Sequence, residues 1–200
     1  MATQQLTIPM FPLNVVILPG ETKALHIFEE RYKQLVADCI ENDANFGIPF
    51  IYHQEISHFG VEVKIINVVK KKNNGEMDIV IEGVRVFKLL EYSKVLHPKL
   101  YGAGIVEFEE FTHTKPSALL QDLIKDYIWI TQQNALAIDA FDEADVYSIA
   151  RLIDLSSLEK YELIKTTSVY LKEKYLISKI ILFTHILKTE EKLKGLFIFN

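Results

Sequence analysis

The hydrophobic period of this chain changes near residue 112, from the two-residue alternation of half-buried strands to the 3.6-residue recurrence of helices. A single layer cannot satisfy both patterns, because a strand buries every second side chain and an amphipathic helix buries a stripe. The chain is therefore predicted to be an α+β protein, with a β-rich part over residues 1–112 and a helical bundle over 113–200. In the first part Val61, Val63 and Ile65 alternate with Glu62 and Lys64, and the alternation resumes over Met77–Glu82. Between them Asn73-Asn74-Gly75 offers residues that tolerate positive φ, so this pair is the clearest hairpin. Other extended runs are expected at Leu6–Ile8, Asn14–Leu18, Phe46–Tyr52, Val84–Phe87 and Gly104–Phe108. Gly83 marks a bulge or bend before Val84.

One helix interrupts this region. Phe28, Tyr32, Leu35, Val36, Cys39 and Ile40 recur at helical spacing and are expected on its buried stripe. After residue 114 the apolar positions Leu119, Leu120, Leu123, Ile124, Tyr127 and Ile128 define an amphipathic helix behind Pro116. A second follows over Val146–Ile153, and Ser156-Ser157-Leu158-Glu159 has the form of a capping box opening a short helix through Leu163. A long helix beginning near Thr167 or Ser168 and reaching Leu187 or beyond carries apolar residues outside a narrow stripe. It is either central to the bundle or part of an oligomeric surface. The terminal Leu196-Phe197-Ile198-Phe199 is too apolar to stay exposed.

Charge and motif chemistry exclude more than they assign. Twenty-two basic against twenty-seven acidic residues leave a net charge of −5, which disfavours nucleic acid as a partner. The one dense basic run, Lys70-Lys71-Lys72, reads as a solvated hairpin tip. A single cysteine, Cys39, forms no internal disulfide and fits a reducing, cytoplasmic setting as a core thiol. No apolar stretch is long enough for a membrane span, since Ser178, Lys179, Thr184, His185 and Lys188 interrupt the longest one. There is no Walker A loop, dinucleotide fingerprint, HExxH or GxSxG, and His53 and His58 do not have metal-ligand spacing. No catalytic, cofactor or metal residue is assigned. The adjacent Glu109 and Glu110 do not make a catalytic pair, because neighbouring strand positions face opposite ways.

Four separated blocks, in order, carry a family resemblance: Ile8–Gly20 (IPMFPLNVVILPG), Leu25–Tyr32 (LHIFEERY), Phe46-Gly47 and Ile81–Phe87 (IEGVRVF). They resemble the N-terminal substrate-binding domain of Lon proteases, and most closely the standalone bacterial proteins built from that domain. Leu155–Leu163 is similar to the family's helical segment. The resemblance implies a PUA-like curved β pseudo-barrel with one packed helix, followed by a helical bundle. It further implies recognition of unfolded protein or peptide segments and support of self-assembly. The ATPase and serine–lysine peptidase modules of full-length Lon proteases have no counterpart before Asn200, so binding without proteolysis is the expected activity.

Two arginines within the matching blocks stand out. Arg31 is expected to pair with Glu29 or Glu82 and tie the helix to the sheet, and Arg85 to close an ion pair or line a cleft. Phe11, Leu13, Leu25, Ile27 and Phe28 are expected to pack in the core or at the approach to the helix. Binding is expected in an apolar groove or along an exposed strand edge. The alternative, a small molecule or RNA held by a PUA-like fold, would require a deep polar pocket or a basic patch joining Lys64, Lys70–Lys72 and Lys88.

Overall fold

Alternation before residue 112 folds as six strands with one inserted helix. A computed structural model describes residues 5–110, 114–131 and 145–198. The strands are β1 (Gln5–Met10), β2 (Thr22–Ile27), β3 (Phe46–Tyr52), β4 (Glu55–Lys71), β5 (Met77–Ser93) and β6 (Gly102–Phe108). Helix α1 (Glu30–Glu41) lies between β2 and β3. The helices after the sheet are α2 (Ala118–Thr131), α3 (Val146–Ala150), α4 (Ser157–Ile164) and α5 (Val169–Ile198). The chain divides into two units, Met1–Phe111 with Leu155–Lys165, and Thr112–Asp154 with Thr166–Asn200.

In the first unit the strand order is β2-β5-β4-β3-β1-β6, with a further pairing of β5 to β6. The length of β5 makes this possible. Its first half pairs with β2 from Met77 to Glu82, its second half pairs with β6 from Phe87 to Ser93, and β4 runs along both. A strand that serves two neighbours in succession must coil, and bulges supply the extra twist. Register shifts in the β4–β5 ladder leave Ile66, Val69 and Val84 as additional residues. The last of these is the bulge anticipated beside Gly83. The turn between β4 and β5 places Gly75 at φ 82°, and it is Gly75, not Asn73 or Asn74, that takes the left-handed conformation.

The core of the curved sheet is formed by Met10, Phe87, Leu89 and Val106, all buried. Helix α1 packs Tyr32, Leu35, Val36 and Cys39 inward, and Phe11 stacks on Tyr32 at 3.8 Å between centroids. Helix α4 begins with the anticipated capping box. The Glu159 N–H donates to the Ser156 Oγ, and the Ser156 N–H donates to the Glu159 carboxylate at 2.8 Å. It packs on the sheet of its own unit through Tyr161, 5.2 Å from Phe50, and through an ion pair between Lys160 and Glu21 at 2.6 Å.

The run Asn14–Leu18 is not a strand. It is an irregular segment with isolated bridges at Leu13 to Phe50 and Pro19 to Gly83. Val16, Ile17 and Leu18 are nevertheless buried, so apolarity reports burial here and not conformation. The Leu18 N–H donates to the Glu21 carboxylate at 2.9 Å, which satisfies one backbone group that a ladder would otherwise take. The strand in this region is β2, where only Leu25 and Ile27 turn toward the interior. That is too short a pattern to register as alternation.

In the second unit α5 packs on α2 and α3. Leu120, Ile124, Tyr127 and Ile128 of α2 are buried, as are Leu176 and Ile180 of α5. Lys172 is also buried on α5 and donates from Nζ to the Tyr147 hydroxyl at 2.5 Å. Ile181, Leu182 and Ile186 of the same helix are exposed. The side chains of Leu196–Phe199, expected to dock, lie outside the described residues.

Candidate functional site

Arg31, Glu82 and Arg85 do not converge. Arg31 pairs with Glu29 at 2.7 Å, the first of its two expected partners, and lies 4.5 Å from the Tyr32 ring centroid. Both members of that pair sit at the start of α1, so it does not tie the helix to the sheet. Glu82 pairs instead with Lys64 across the β4–β5 ladder, at 3.3 Å. Arg85 closes an ion pair with Glu62 on β4, at 2.6 Å from Nε, and its guanidinium stacks 3.4 Å from the Phe108 ring centroid. The Glu62 side chain is only 6 % exposed against 45 % for Arg85, so the arginine acts as the outer cover of an otherwise buried carboxylate.

The tie expected of Arg31 is made by other residues of α1. Asp38 accepts from Lys99 at 2.7 Å and from the Tyr101 hydroxyl at 2.6 Å, both on the β5–β6 connection. The Lys99 hydrogen bond, with that of Tyr101, holds the Asp38 carboxyl below its usual range. Burial first, and the Asp38 bond second, raise the Tyr101 phenol. Gln34 accepts from the Leu100 N–H at 2.7 Å, and Lys33 reaches the Asn74 carbonyl at 3.0 Å. These partners are more than forty positions away in sequence, and spacing within α1 offers no signal for them.

Anchored in this way, the C-terminal end of α1 overhangs the part of β4 that β3 does not reach. Pairing of β3 with β4 ends at Phe46 and Val63. Beyond that point the outer edge of β4 opens on a cleft of about 360 Å³, lined by Cys39, Ile40, Asp43, Lys64, Ile66 and Val68 among others. Ile40 is 52 % exposed, although helical spacing puts it on the buried stripe; it lies at the last turn, where the stripe runs off the sheet. Ile66 is exposed because it is the bulge residue. Phe28, expected to be packed, is 59 % exposed between β2 and α1. None of these three exposures is legible from period alone, which reports that a face is apolar but not what covers it.

Cys39 in this wall is not a nucleophile in waiting. Burial is the main cause that pushes its thiol from 9.0 to about 11, and Asp38 adds to it. At pH 8 its alkylation by iodoacetamide is expected to be about a hundredfold slower in the folded protein than in urea, following the loss of thiolate. Equal rates in the two states would show that the thiol is open.

The lysines that would have marked a nucleic-acid surface are interleaved with acids. Lys64 pairs with Glu82, and Lys72 with Glu76 at 2.7 Å. In the ladders Lys70 lies opposite Asp78, and Lys88 opposite Glu107. Among the described residues no group of three or more His, Cys, Asp or Glu side chains is placed to hold a metal ion. No helix among them is long and apolar enough to cross a membrane.

The first unit is thus a curved mixed sheet with a packed helix, an open apolar-edged cleft and polar pairs that hold its strands together. The chain belongs to the Lon protease substrate-binding domain family: the family model described as the ATP-dependent protease La (LON) substrate-binding domain matches residues 7–180. That domain is a noncatalytic substrate-binding module. The fold is shared with a Lon N-terminal domain protein from Xanthomonas campestris, at 24 % identity and a TM-score of 0.70, covering 86 % of this chain and 98 % of that one. It is also shared with the N-terminal domain of the Mycobacterium avium complex Lon protease, at 17 % identity and a TM-score of 0.64, covering 87 % and 97 %. No match is found among curated proteins.

Proposed function

We propose that this protein captures extended segments of unfolded polypeptide in the cleft between α1 and β4, as a cytoplasmic module with a PUA-like pseudo-barrel fold. The observation that carries the reading is the convergence of exposed Ile40, Ile66 and Val68 on an open cleft beside a strand edge that has no strand neighbour among the described residues. An unfolded chain offers apolar side chains that a folded one hides, and the exposed apolar residues of this cleft are complementary to them. The ring of pairings through β5, β4, β3, β1, β6 and back to β5 supports the pseudo-barrel description. The ion pairs that interleave acids with Lys64 and Lys72 favour protein over RNA as the partner. Self-association would use the exposed apolar residues of α5, among them Ile181 and Leu182.

The immobilised protein is expected to retain a reduced, carboxymethylated protein that stays unfolded, and to let its native form pass. Ile40→Asp with Ile66→Asp, both at exposed positions, should lower retention several-fold without shifting the thermal transition. Equal retention by the variant would remove the cleft as the site. Retention of an RNA oligonucleotide in preference to the unfolded protein would reverse the assignment.

A further inference from the structure

Three strand edges in the first unit lack a strand neighbour among the described residues: β1 over Gln5–Pro9 on its β3 side, β4 beyond Val63, and the outer edge of β2. The outer edge of β4 beyond Val63 is broken by bulges at Ile66 and Val69 and ends in Lys70-Lys71, features that discourage a further strand. The outer edge of β2 has no bulge within Thr22–Ile27 and carries a single lysine, Lys23. Its six residues pair with β5 in unbroken antiparallel register, Thr22 with Glu82 through Ile27 with Met77. Thr22, Lys23, Ala24 and His26 are exposed on it.

The hydrogen-bond phase of this edge follows from its first rung. The Gly83 N–H donates to the Glu21 carbonyl at 2.9 Å, so Glu21 faces β5 with its backbone. Alternation then turns the backbone of Lys23, Leu25 and Ile27 toward β5 and leaves that of Thr22, Ala24 and His26 pointing outward. Three amides and three carbonyls thus lie in line, and only another extended backbone complements such a row.

The geometry points to β2 as a strand-addition site for an extended peptide that carries a carboxylate opposite Lys23 and an apolar residue near Phe28. This rests on the reading of the protein as a polypeptide-binding module and adds a second, backbone-reading element distinct from the cleft. Charge selects the occupant. Lys23 makes no hydrogen bond or ion pair among the described residues, and the strand itself holds Lys23 and His26 but no acid. The His26 ring is held by Asp78 at 2.6 Å, which leaves Lys23 as the cation open to a partner. A second copy of β2 brings no counter-charge, whereas a guest with an acidic residue does. At the other end Phe28 is exposed and stacks with His26, at 6.0 Å between centroids, offering an apolar landing for a guest side chain.

The probe is a fluorescein-labelled peptide of alternating valine and threonine with a glutamate near one end and a phenylalanine near the other. Its anisotropy is measured against the full chain, beside capture of the carboxymethylated unfolded protein. Ala24→Pro removes an outward N–H without taking a donor from the β2–β5 ladder, a position where an edge strand tolerates proline. It should weaken peptide binding at least about tenfold, through one lost backbone hydrogen bond and the bulk of the ring. Lys23→Glu should weaken binding of the glutamate peptide and strengthen that of its lysine counterpart. Because Ala24→Pro can disturb the fold, the same peptide N-methylated on alternate residues is tested on the unaltered protein. One phase of methylation should abolish binding and the other leave it intact, since a strand uses only every second amide on one edge.

Equal binding of the two methylated peptides, or wild-type binding by a folded Ala24→Pro variant, overturns the proposal. If unfolded protein is still captured in that case, the cleft reading stands alone; if the unaltered protein captures neither probe, both fall. A concentration-dependent dimer abolished by Ala24→Pro would assign the edge to a second copy and overturn the peptide.

Discussion

Replacing Gly83 with alanine is expected to be among the most destabilising single-methyl additions possible in this chain. A Cβ at Gly83 would lie 2.2 Å from the Leu18 carbonyl oxygen and 2.9 Å from its carbon. The obstacle is backbone, and that backbone is held on both sides. The Gly20 N–H donates to the Gly83 carbonyl at 2.8 Å, and the Gly83 N–H to the Glu21 carbonyl at 2.9 Å. Relief therefore requires moving the buried Val16–Leu18 segment away from the sheet or breaking the first rung of the β2–β5 ladder. We expect a loss of about 3 kcal/mol, the upper end of the range for overpacking, in urea unfolding followed by circular dichroism. That corresponds to a fall of about 10 °C in Tm. Val84→Ala, at the exposed bulge next door, is the control and should cost less than about 1 kcal/mol. Equal effects of the two would mean that the approach of Leu18 to Gly83 is not a constraint.

The second large effect is expected at Arg85. Arg85→Ala leaves the Glu62 carboxylate buried without its cation and uncovers the Phe108 ring on which the guanidinium lies. Because Arg85 is itself nearly half exposed, the cost should fall between an exposed pair and a fully buried one, at about 2 kcal/mol. Arg85→Lys should recover only part of that, since an ammonium does not reproduce the planar stack or the fork to both carboxylate oxygens. Glu62→Gln with Arg85→Ala should be less destabilising than the sum of the two single changes, because the stranded charge is gone. The same proteins discriminate a structural arginine from a binding one. If capture of unfolded protein falls in Arg85→Lys while its stability is near wild type, Arg85 belongs to the binding surface and the structural account fails.

Particular residues show where a sequence carries its fold and where it does not. The β4–β5 hairpin and the capping box at Ser156 and Glu159 are legible because each rests on interactions between near neighbours. An alternating run, a glycine at positive φ and a reciprocal side-chain-to-backbone pair are all written within a few positions. Asn14–Leu18 misleads because burial without alternation is compatible with a strand or with an irregular segment satisfied by Glu21. Strand β2 escapes notice for the converse reason: an edge strand has one buried face and one neighbour, so few of its residues need be apolar. Periodicity also says nothing of the surface on which α4 docks, because an apolar stripe fits a sheet as well as a helix.

The candidate binding surfaces lie at the far end of that scale. The four sequence blocks were enough to indicate the family, whose model matches residues 7–180. Ile40, Ile66 and Phe28 acquire their meaning only in three dimensions, where a helix end runs past the sheet, a bulge turns one residue out, and a connection leaves a ring uncovered. Composition and period by themselves determined a β-rich part followed by helices, because the spacing of buried residues along one element is a local property. Which arginine meets which carboxylate, which glycine is pressed by a passing carbonyl, and which strand edge stays open were decided by tertiary structure alone. Those depend on what lies across from a residue, and in this fold the facing partner is fifty or more positions away for His26 and Asp78 as for Asp38 and Lys99.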